Sequence, residues 1–457
     1  GIFKKALHAQ STDYRVVSNT IGIRHMQAAL IFGGLVFGYF LRVNMSVAIV
    51  AMRHPADIKM WDQHLDHIIL SSFFWGYVVA QLPSGLLAQK VGAKAVLSIS
   101  SALCALFTVI IPAATNWGWI TICCLRVLIG FTQGAVYPCV HTLLAKWAPS
   151  TERGVLSTVV YSGAQLGTVI MMATSGILSA SWMGWPSIFY LSGVITFAWA
   201  VLYFFVGADE PANVSYISKA EKEYIENLTG SSDTKNMPIP WTAMFTSVPF
   251  IALIFAHCGF TWGFYTLLSE IPMFLSEVFA MDISSNGFFS ALPYLTMWIL
   301  ALIISPLSDY LINSGKLTRG ASRKIFNSIG QWGPMVCLIT LGYMQTVTLA
   351  IFFLTMGVGL NSASLVGYLV NHMDLAPNFA GTMMGITNGI SNLLSVFAPI
   401  IGGVAGWRIV FFLTAGFYFV CNLIFVLFGK ASVQPWNNPD LPKMPNVIKS
   451  QYGTSRF

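Results

Sequence analysis

Two arginines stand where a chain seldom keeps a charge. Arg42 interrupts the apolar run FGYFLRVNMSVAIVAM, residues 37–52, and Arg126 interrupts CCLRVLIGFTQG, residues 123–134. A guanidinium stays protonated at any working pH, and hydrocarbon makes that charge costly. Its planar fork of donors forms two-point hydrogen bonds to carboxylate or phosphate, so the chemistry on offer is capture of an anion. No Asp or Glu lies within the first six apolar spans, which leaves an incoming anion to supply the countercharge. The competing arrangement is a guanidinium that bonds helix-end carbonyls or reaches along its neighbours to the interface. Arg42, near mid-depth, favours anion capture; Arg126, about two turns from a helix end, leaves both open. Counted along their helices, the two charges fall within about 5 Å of each other in depth, close enough to share one cavity.

Around them lie the other groups able to take part. Gln133 follows Arg126 by two helical turns on the same face and is polar but cannot exchange a proton. Glu270, in YTLLSEIPMF, is the only carboxylate well within a span, and Pro272 weakens the helix around it. It is an ion-coupling candidate or an outer-end residue in water. His257 is a second coupling candidate, and His141 a third titratable group; a buried histidine is otherwise hydrogen-bonded core. The aromatics Tyr39, Phe73, Phe74, Trp75, Tyr77, Tyr161, Phe260, Tyr265 and Tyr294 suit a cavity for an organic anion, and Tyr39, three residues before Arg42, shares its face. Asn388 completes the candidate lining. The pairs Gly163–Gly167 and Gly381–Gly389 read as close helix packing. All seven cysteines fall in apolar runs, so neither a disulfide framework nor a metal site is expected, and no cofactor beyond a coupling ion, H+ or Na+.

The elements that must position these residues follow from composition. Of 457 residues, 55% are hydrophobic and 9% charged, against roughly 25% charged in a soluble domain. Apolar stretches long enough to cross a bilayer as helix number twelve: about 26–52, 68–89, 95–114, 118–146, 154–180, 186–206, 248–279, 286–312, 325–345, 347–371, 380–404 and 407–429. The expected fold class is therefore all-α, a polytopic membrane protein of twelve transmembrane helices. A polar interval divides them into two six-helix bundles. The expected order is a cytosolic segment 1–25, a bundle 26–206, a cytosolic loop 207–247, a bundle 248–429 and a cytosolic tail 430–457. The first helix is expected to stay as a signal anchor. Most of the 24 Lys and Arg lie at the termini and even-numbered loops, which places that face and both termini in the cytosol. The net charge of +7 thus reports topology, and no nucleic-acid partner is inferred.

The loop GLLAQKVGAK resembles the major facilitator signature, matched by Gly85, Lys90, Gly92 and Lys94, with Gln89 where an acid is usual. Its second-half counterpart, PLSDYL with Arg323 and Lys324 beyond, keeps its acid at Asp309. The resemblance implies a cytosolic gate built from these residues. Longer matches run through nearly the whole chain: FLRVNMSVAIVAM, SSFFWGYVVAQLPSG, YPCVHTLLAKWAPSTERG, WGFYTLLSEIP, GYLVNHMDLAPNFAGTMMGITNGISN and QPWNNPD. Together they resemble solute carrier family 17, the anion transporters that include sialin, the vesicular glutamate transporters and sodium–phosphate cotransporter relatives. That resemblance implies that Arg42 contacts the substrate's anionic group. Phe260 and Leu70 stand where the vesicular glutamate transporters carry Arg and His, which argues against a two-charge substrate. Gln133 stands where that branch and sialin carry a proton-handling glutamate, making Glu270 the nearest substitute.

The expected function is secondary active transport of a small organic monoanion, proton-coupled, by alternating access. A sodium-dependent phosphate cotransporter is the alternative, with an anion channel or a transport-dead receptor as readings from other classes. No enzyme signature competes: Walker loop, nucleophile elbow and metal-ligand spacing are all missing from the sequence. The expected partners are a small anion and membrane lipid, the expected state a monomer, and the expected site the plasma membrane or a lysosomal or vesicular membrane.

Overall fold

The computed structural model describes residues 20–52, 64–179, 181–229, 237–280, 283–395 and 406–438. Within them the chain is all-helical, with no strand. The first half holds α1 (Ile23–Met52), α2 (His64–Val91), α3 (Ala93–Ala114), α4 (Trp119–Gln133), α5 (Val136–Trp147), α6 (Arg153–Ser179) and α7 (Pro186–Val206). Two short helices follow, α8 (Lys219–Thr229) and α9 (Trp241–Phe245). The second half holds α10 (Val248–Phe279), α11 (Ile283–Asn313), α12 (Arg319–Leu341), α13 (Val347–Leu360), α14 (Tyr368–Leu375), α15 (Ala380–Ser395) and α16 (Trp407–Phe428).

Among the described residues ten stretches are long and apolar enough to cross a membrane. The other two expected spans differ for separate reasons. α12 has the length, but Arg323, Asn327 and Gln331 turn inward from it and lower its hydropathy, and each bonds inside the protein, as in the bond from Gln331 Nε2 to the Ala256 carbonyl at 2.7 Å. Of the expected span 380–404, residues 396–404 lie outside the described ones.

Two spans expected as continuous helices are broken. The fourth divides between α4 and α5 at Gly134–Ala135, where Pro138 removes the N–H that would bond the Gly134 carbonyl. The tenth runs as α13, a 3₁₀ turn over Asn361–Leu365, and α14. Both breaks are buried, and each half carries one.

Glycines bring the helices together. A Cβ on Gly130 would run into the Phe73 carbonyl, and one on Gly76 into the Val127 carbonyl, so α2 and α4 touch backbone to backbone. Gly163 and Gly167 set α6 against the Phe32 and Val36 carbonyls of α1 in the same way. The two halves meet at the end where α1 begins and α16 finishes, the basic end. There Gly85 of α2 faces the Gly381 carbonyl of α15, 2.8 Å from a Cβ added at Gly85, and Gly385 faces the Gln81 carbonyl. The segment between the halves folds back on the first of them: Tyr224 and Ile225 of α8 pack on Trp147, Ala208 and Val214.

Candidate functional site

Arg42 lies past the middle of α1, half-buried, inside a cage of five rings. Its guanidinium carbon is 4.6 Å from the ring centre of Tyr77, 5.2 Å from Phe73, 5.3 Å from Tyr39, 5.5 Å from Tyr265 and 5.6 Å from Phe74. These ring faces attract a cation without neutralising it. Nη2 donates to the Tyr265 hydroxyl on α10, so the cage closes across the two halves. No ion pair within 4 Å joins Arg42 to a carboxylate among the described residues. Tyr39 shares a hydrogen bond with Tyr137, 2.8 Å between hydroxyls. On the opposite side Asn388 of α15 donates to the Tyr77 hydroxyl at 3.1 Å and to Gln81 at 2.9 Å.

Arg126 is only 2% exposed, and its guanidinium carbon lies 5.1 Å from the ring centre of Phe73. The two arginines therefore share this ring. Among the described residues, Nε and Nη1 of Arg126 have no hydrogen-bond partner. Two turns later Gln133 donates its amide to the Gly38 carbonyl of α1 at 2.6 Å, tying α4 to the turn that presents Arg42.

Below the cage, toward the basic end, three imidazoles meet. The His372 ring centre lies 5.1 Å from that of His141 and 5.9 Å from that of His257. Their heavy-atom partners fix the protons for neutral rings. The Leu369 carbonyl can only accept, so His141 Nε2 and His372 Nδ1, at 3.1 and 3.0 Å, carry hydrogens. Tyr161 then donates to His141 Nδ1. Thr387 donates to His372 Nε2 at 2.8 Å, having one hydrogen to give, and accepts from His257 Nδ1 at 2.9 Å. Asn388 is a further side-chain hydrogen-bond partner of the His257 ring. Tyr161 in turn stacks on Tyr137, 5.8 Å between centres, so side-chain contacts connect Arg42 to the histidines.

At the basic end the halves are pinned by buried charge. Asp374 of α14 accepts from Arg323 Nε at 2.7 Å and from Arg153 Nη1 of the first half at 3.4 Å. Asp309 accepts from the Val155 amide at 2.7 Å, capping the start of α6 from the other half. Arg24 pairs with Glu152 at 2.8 Å and Glu221 at 3.1 Å, and Arg153 also donates to the Thr229 carbonyl at 3.1 Å.

Several expected site residues gather in these places: Tyr39, Arg42, Tyr77, Tyr265 and Asn388 at the cage, Arg126 and Gln133 beside it, Tyr161 and His257 below it. Others do not. Trp75 is 53% exposed on the outer flank, and Tyr294 packs away from Arg42 against Phe264. Among the expected gate residues, Gly85, Asp309 and Arg323 lie where the halves touch, whereas Lys90 is exposed. Lys94 stays in its own half, its amide bonded to Asp209 at 2.8 Å. Gly92 there has φ 113°, open to glycine without strain, and Asp209 fills the space a Cβ would need. With neutral Gln89 in place of an acid, this loop accepts a hydrogen bond from the Thr382 hydroxyl of the other half, 3.4 Å, and makes no ion pair with that half among the described residues. The side chain of Glu270 lies outside the described residues, although its backbone belongs to α10. Asp374, Arg153, Tyr137, His372 and Thr387 escaped the sequence reading.

Comparison with known proteins agrees with this architecture. Residues 30–399 match the model of the Major Facilitator Superfamily. The chain is 37% identical to the "Putative inorganic phosphate cotransporter" of Drosophila melanogaster, covering 94% of this chain and 89% of that one. It is 34% identical to human sialin, over 90% of each. With vesicular glutamate transporter 3 of Danio rerio it shares 33% identity, over 91% of this chain and 75% of the relative. Two solved structures share the fold at low identity. The proton:xylose symporter XylE superposes with a TM-score of 0.67 at 15% identity, over 88% of this chain and 94% of that one. The E. coli fucose:proton symporter FucP gives 0.62 at 13%, over 89% and 99%. A multi-pass helical membrane protein with this matched span and these relatives belongs to the Major Facilitator Superfamily, in the solute carrier family 17 group of transporters.

Proposed function

We propose that the protein moves a small organic monoanion across its membrane by alternating access, with Arg42 holding the anionic group. The observation that carries this reading is a half-buried guanidinium past mid-helix with five aromatic neighbours and no carboxylate among the described residues. The cage also argues for the kind of anion. The ring faces of Phe73, Phe74, Tyr39, Tyr77 and Tyr265 around Arg42 suit an anion with an apolar body. Glutamate is disfavoured because Phe260, stacked on Phe264 at 5.7 Å, offers no second cation. A sodium-dependent phosphate cotransporter is the second reading, favoured by the name of the Drosophila relative, an inorganic phosphate cotransporter. A channel or a transport-dead receptor would lack saturable counterflow.

The proposed coupling ion is the proton, with His257 and Glu270 as its carriers. The chain is proposed to act as a monomer with both termini cytosolic, in the plasma membrane or a lysosomal or vesicular membrane, and to open through the contacts at the basic end. The test is uptake into proteoliposomes of labelled monocarboxylates, urate and phosphate under separate proton and sodium gradients. Saturable uptake of a monocarboxylate or urate driven by protons is the expected result. Uptake of phosphate alone, following sodium, would replace it with the second reading.

A further inference from the structure

On the outer flank of the second half, α12 and α16 leave an open groove of about 580 Å³ between them. Ile325, Ile329, Trp332, Val336 and Val426 line it, and Lys324 stands at its basic end. Ile325, Ile329 and Val336 are exposed, so this wall faces hydrocarbon in a membrane. From Lys324 to Val336 the groove runs about 18 Å along α12, close to the roughly 15 Å depth of one leaflet's hydrocarbon. Past Lys324 a second hollow of about 490 Å³ opens, and Lys324 belongs to both. Its floor is made of small residues, Gly320, Ala321, Gly429 and Ala431, and Lys430 lies on its rim.

Neither Lys324 nor Lys430 has a carboxylate within 4 Å among the described residues. An open apolar groove of one leaflet's depth thus ends in a small-residue hollow flanked by two ammonium groups that have no counter-ion among the described residues. We infer that this two-part hollow binds one anionic phospholipid, an acyl chain along α12 and the phosphate between Lys324 and Lys430. A zwitterionic headgroup would bring its own cation to the same two lysines, so the negative headgroup is the complementary one. Occupancy would act on the gate through a single peptide bond, because the preceding residue, Arg323, turns inward to Asp374.

The test is independent of transport. The full chain, purified in detergent, is titrated with phosphatidylglycerol, phosphatidylcholine and glycerophosphoglycerol, the headgroup without chains, and bound species are counted by native mass spectrometry. Wild type should retain one phosphatidylglycerol with about thirty-fold preference over phosphatidylcholine, the expectation for two lysines near a surface. K324Q/K430Q should lose the preference while keeping its thermal midpoint in phosphatidylcholine. These lysines are partly or fully exposed, so folding should survive. Equal retention of both lipids by wild type, or an unchanged preference in the double variant, would overturn the assignment. Binding of the chain-free headgroup as tight as that of the lipid would make this a free-anion site and overturn it too.

Discussion

Gln133 donates its side-chain amide to the Gly38 carbonyl at 2.6 Å, the same carbonyl to which the Arg42 backbone N–H belongs in the helical i to i−4 pattern. A group that cannot titrate therefore holds the turn that presents the cation. Gln133→Glu should make transport depend on pH. The neutral acid can donate to Gly38 and the carboxylate cannot, so uptake should persist at low pH and fall as pH rises through the new group's pKa. Gln133→Leu should lower uptake at every pH. Uptake profiles that superimpose for wild type and Gln133→Glu would remove Gln133 from the positioning of Arg42.

Arg42→Ala should bring uptake to background and leave folding largely intact, since no paired acid loses its partner. A lost charge-assisted contact costs about 1.5–3 kcal/mol, or roughly ten- to hundredfold in apparent affinity. Arg42→Lys should recover little, because an ammonium does not reproduce the planar two-point contact. Substrate uptake measured against surface abundance decides it; wild-type uptake by the alanine variant would move the binding site elsewhere.

Gly130→Ala tests the packing beneath the cage. The added Cβ would meet the Phe73 carbonyl, and overpacking of this kind costs about 1–3 kcal/mol. Because the Phe73 ring touches both Arg42 and Arg126, uptake should fall along with the thermal midpoint. A lowered midpoint with unchanged uptake would mean that the position of Phe73 does not matter to transport.

The parts of this site that the sequence makes visible are those that break a local rule. Arg42 is a charge in an apolar run, and Tyr39 follows from helical spacing. Phe73, Phe74 and Trp75 are neighbours in one run, yet the first two face Arg42 and Trp75 faces outward; that choice is made by the close approach of α4, which no local pattern encodes. Tyr265 and Asn388 arrive from the other half of the chain. Asp374 fell past the expected end of the tenth span at residue 371, because the break over Asn361–Leu365 carries the helical segment on to Leu375, and its charge read as loop. Arg153 read as topology for the same reason: a buried cation at a span's edge and a solvated one look alike until its partner is placed.

Asp374→Asn should loosen the closed basic end. Breaking a buried ion pair costs about 3–5 kcal/mol, and here both Arg153 and Arg323 would be left facing a neutral amide. A cysteine at position 142, beside Gly381 where the halves meet, reports on opening. Its maleimide labelling, on a background without exposed Cys124, should speed up in the Asp374→Asn variant. An unchanged labelling rate would mean that the contacts of Gly85 and Gly385 close this end without the ion pairs.

Coupling should reside in the histidine cluster. Both ring nitrogens of His141 and His372 are engaged, the N–H of each by the Leu369 carbonyl and the lone pairs by the Tyr161 and Thr387 hydroxyls, so a proton added to either ring must displace an existing bond. His257 can take one at Nε2 while Nδ1 continues to donate to Thr387. The resulting imidazolium would stand about 6 Å from His372 in a low-dielectric interior, and His372 in turn meets His141 of the first half, a contact that alternating access must separate. His257→Gln should then abolish the uptake response to an inward proton gradient and spare counterflow, which needs only substrate exchange. Thr387→Val should weaken the same response by removing the hydroxyl that orders both rings. Glu270→Gln provides the contrast: loss of the gradient response there, with His257→Gln unaffected, would assign the proton to the outer part of α10. Uptake that follows sodium and ignores pH in the wild type would reject both carriers, and with them the proton-coupled reading in favour of the phosphate cotransporter alternative.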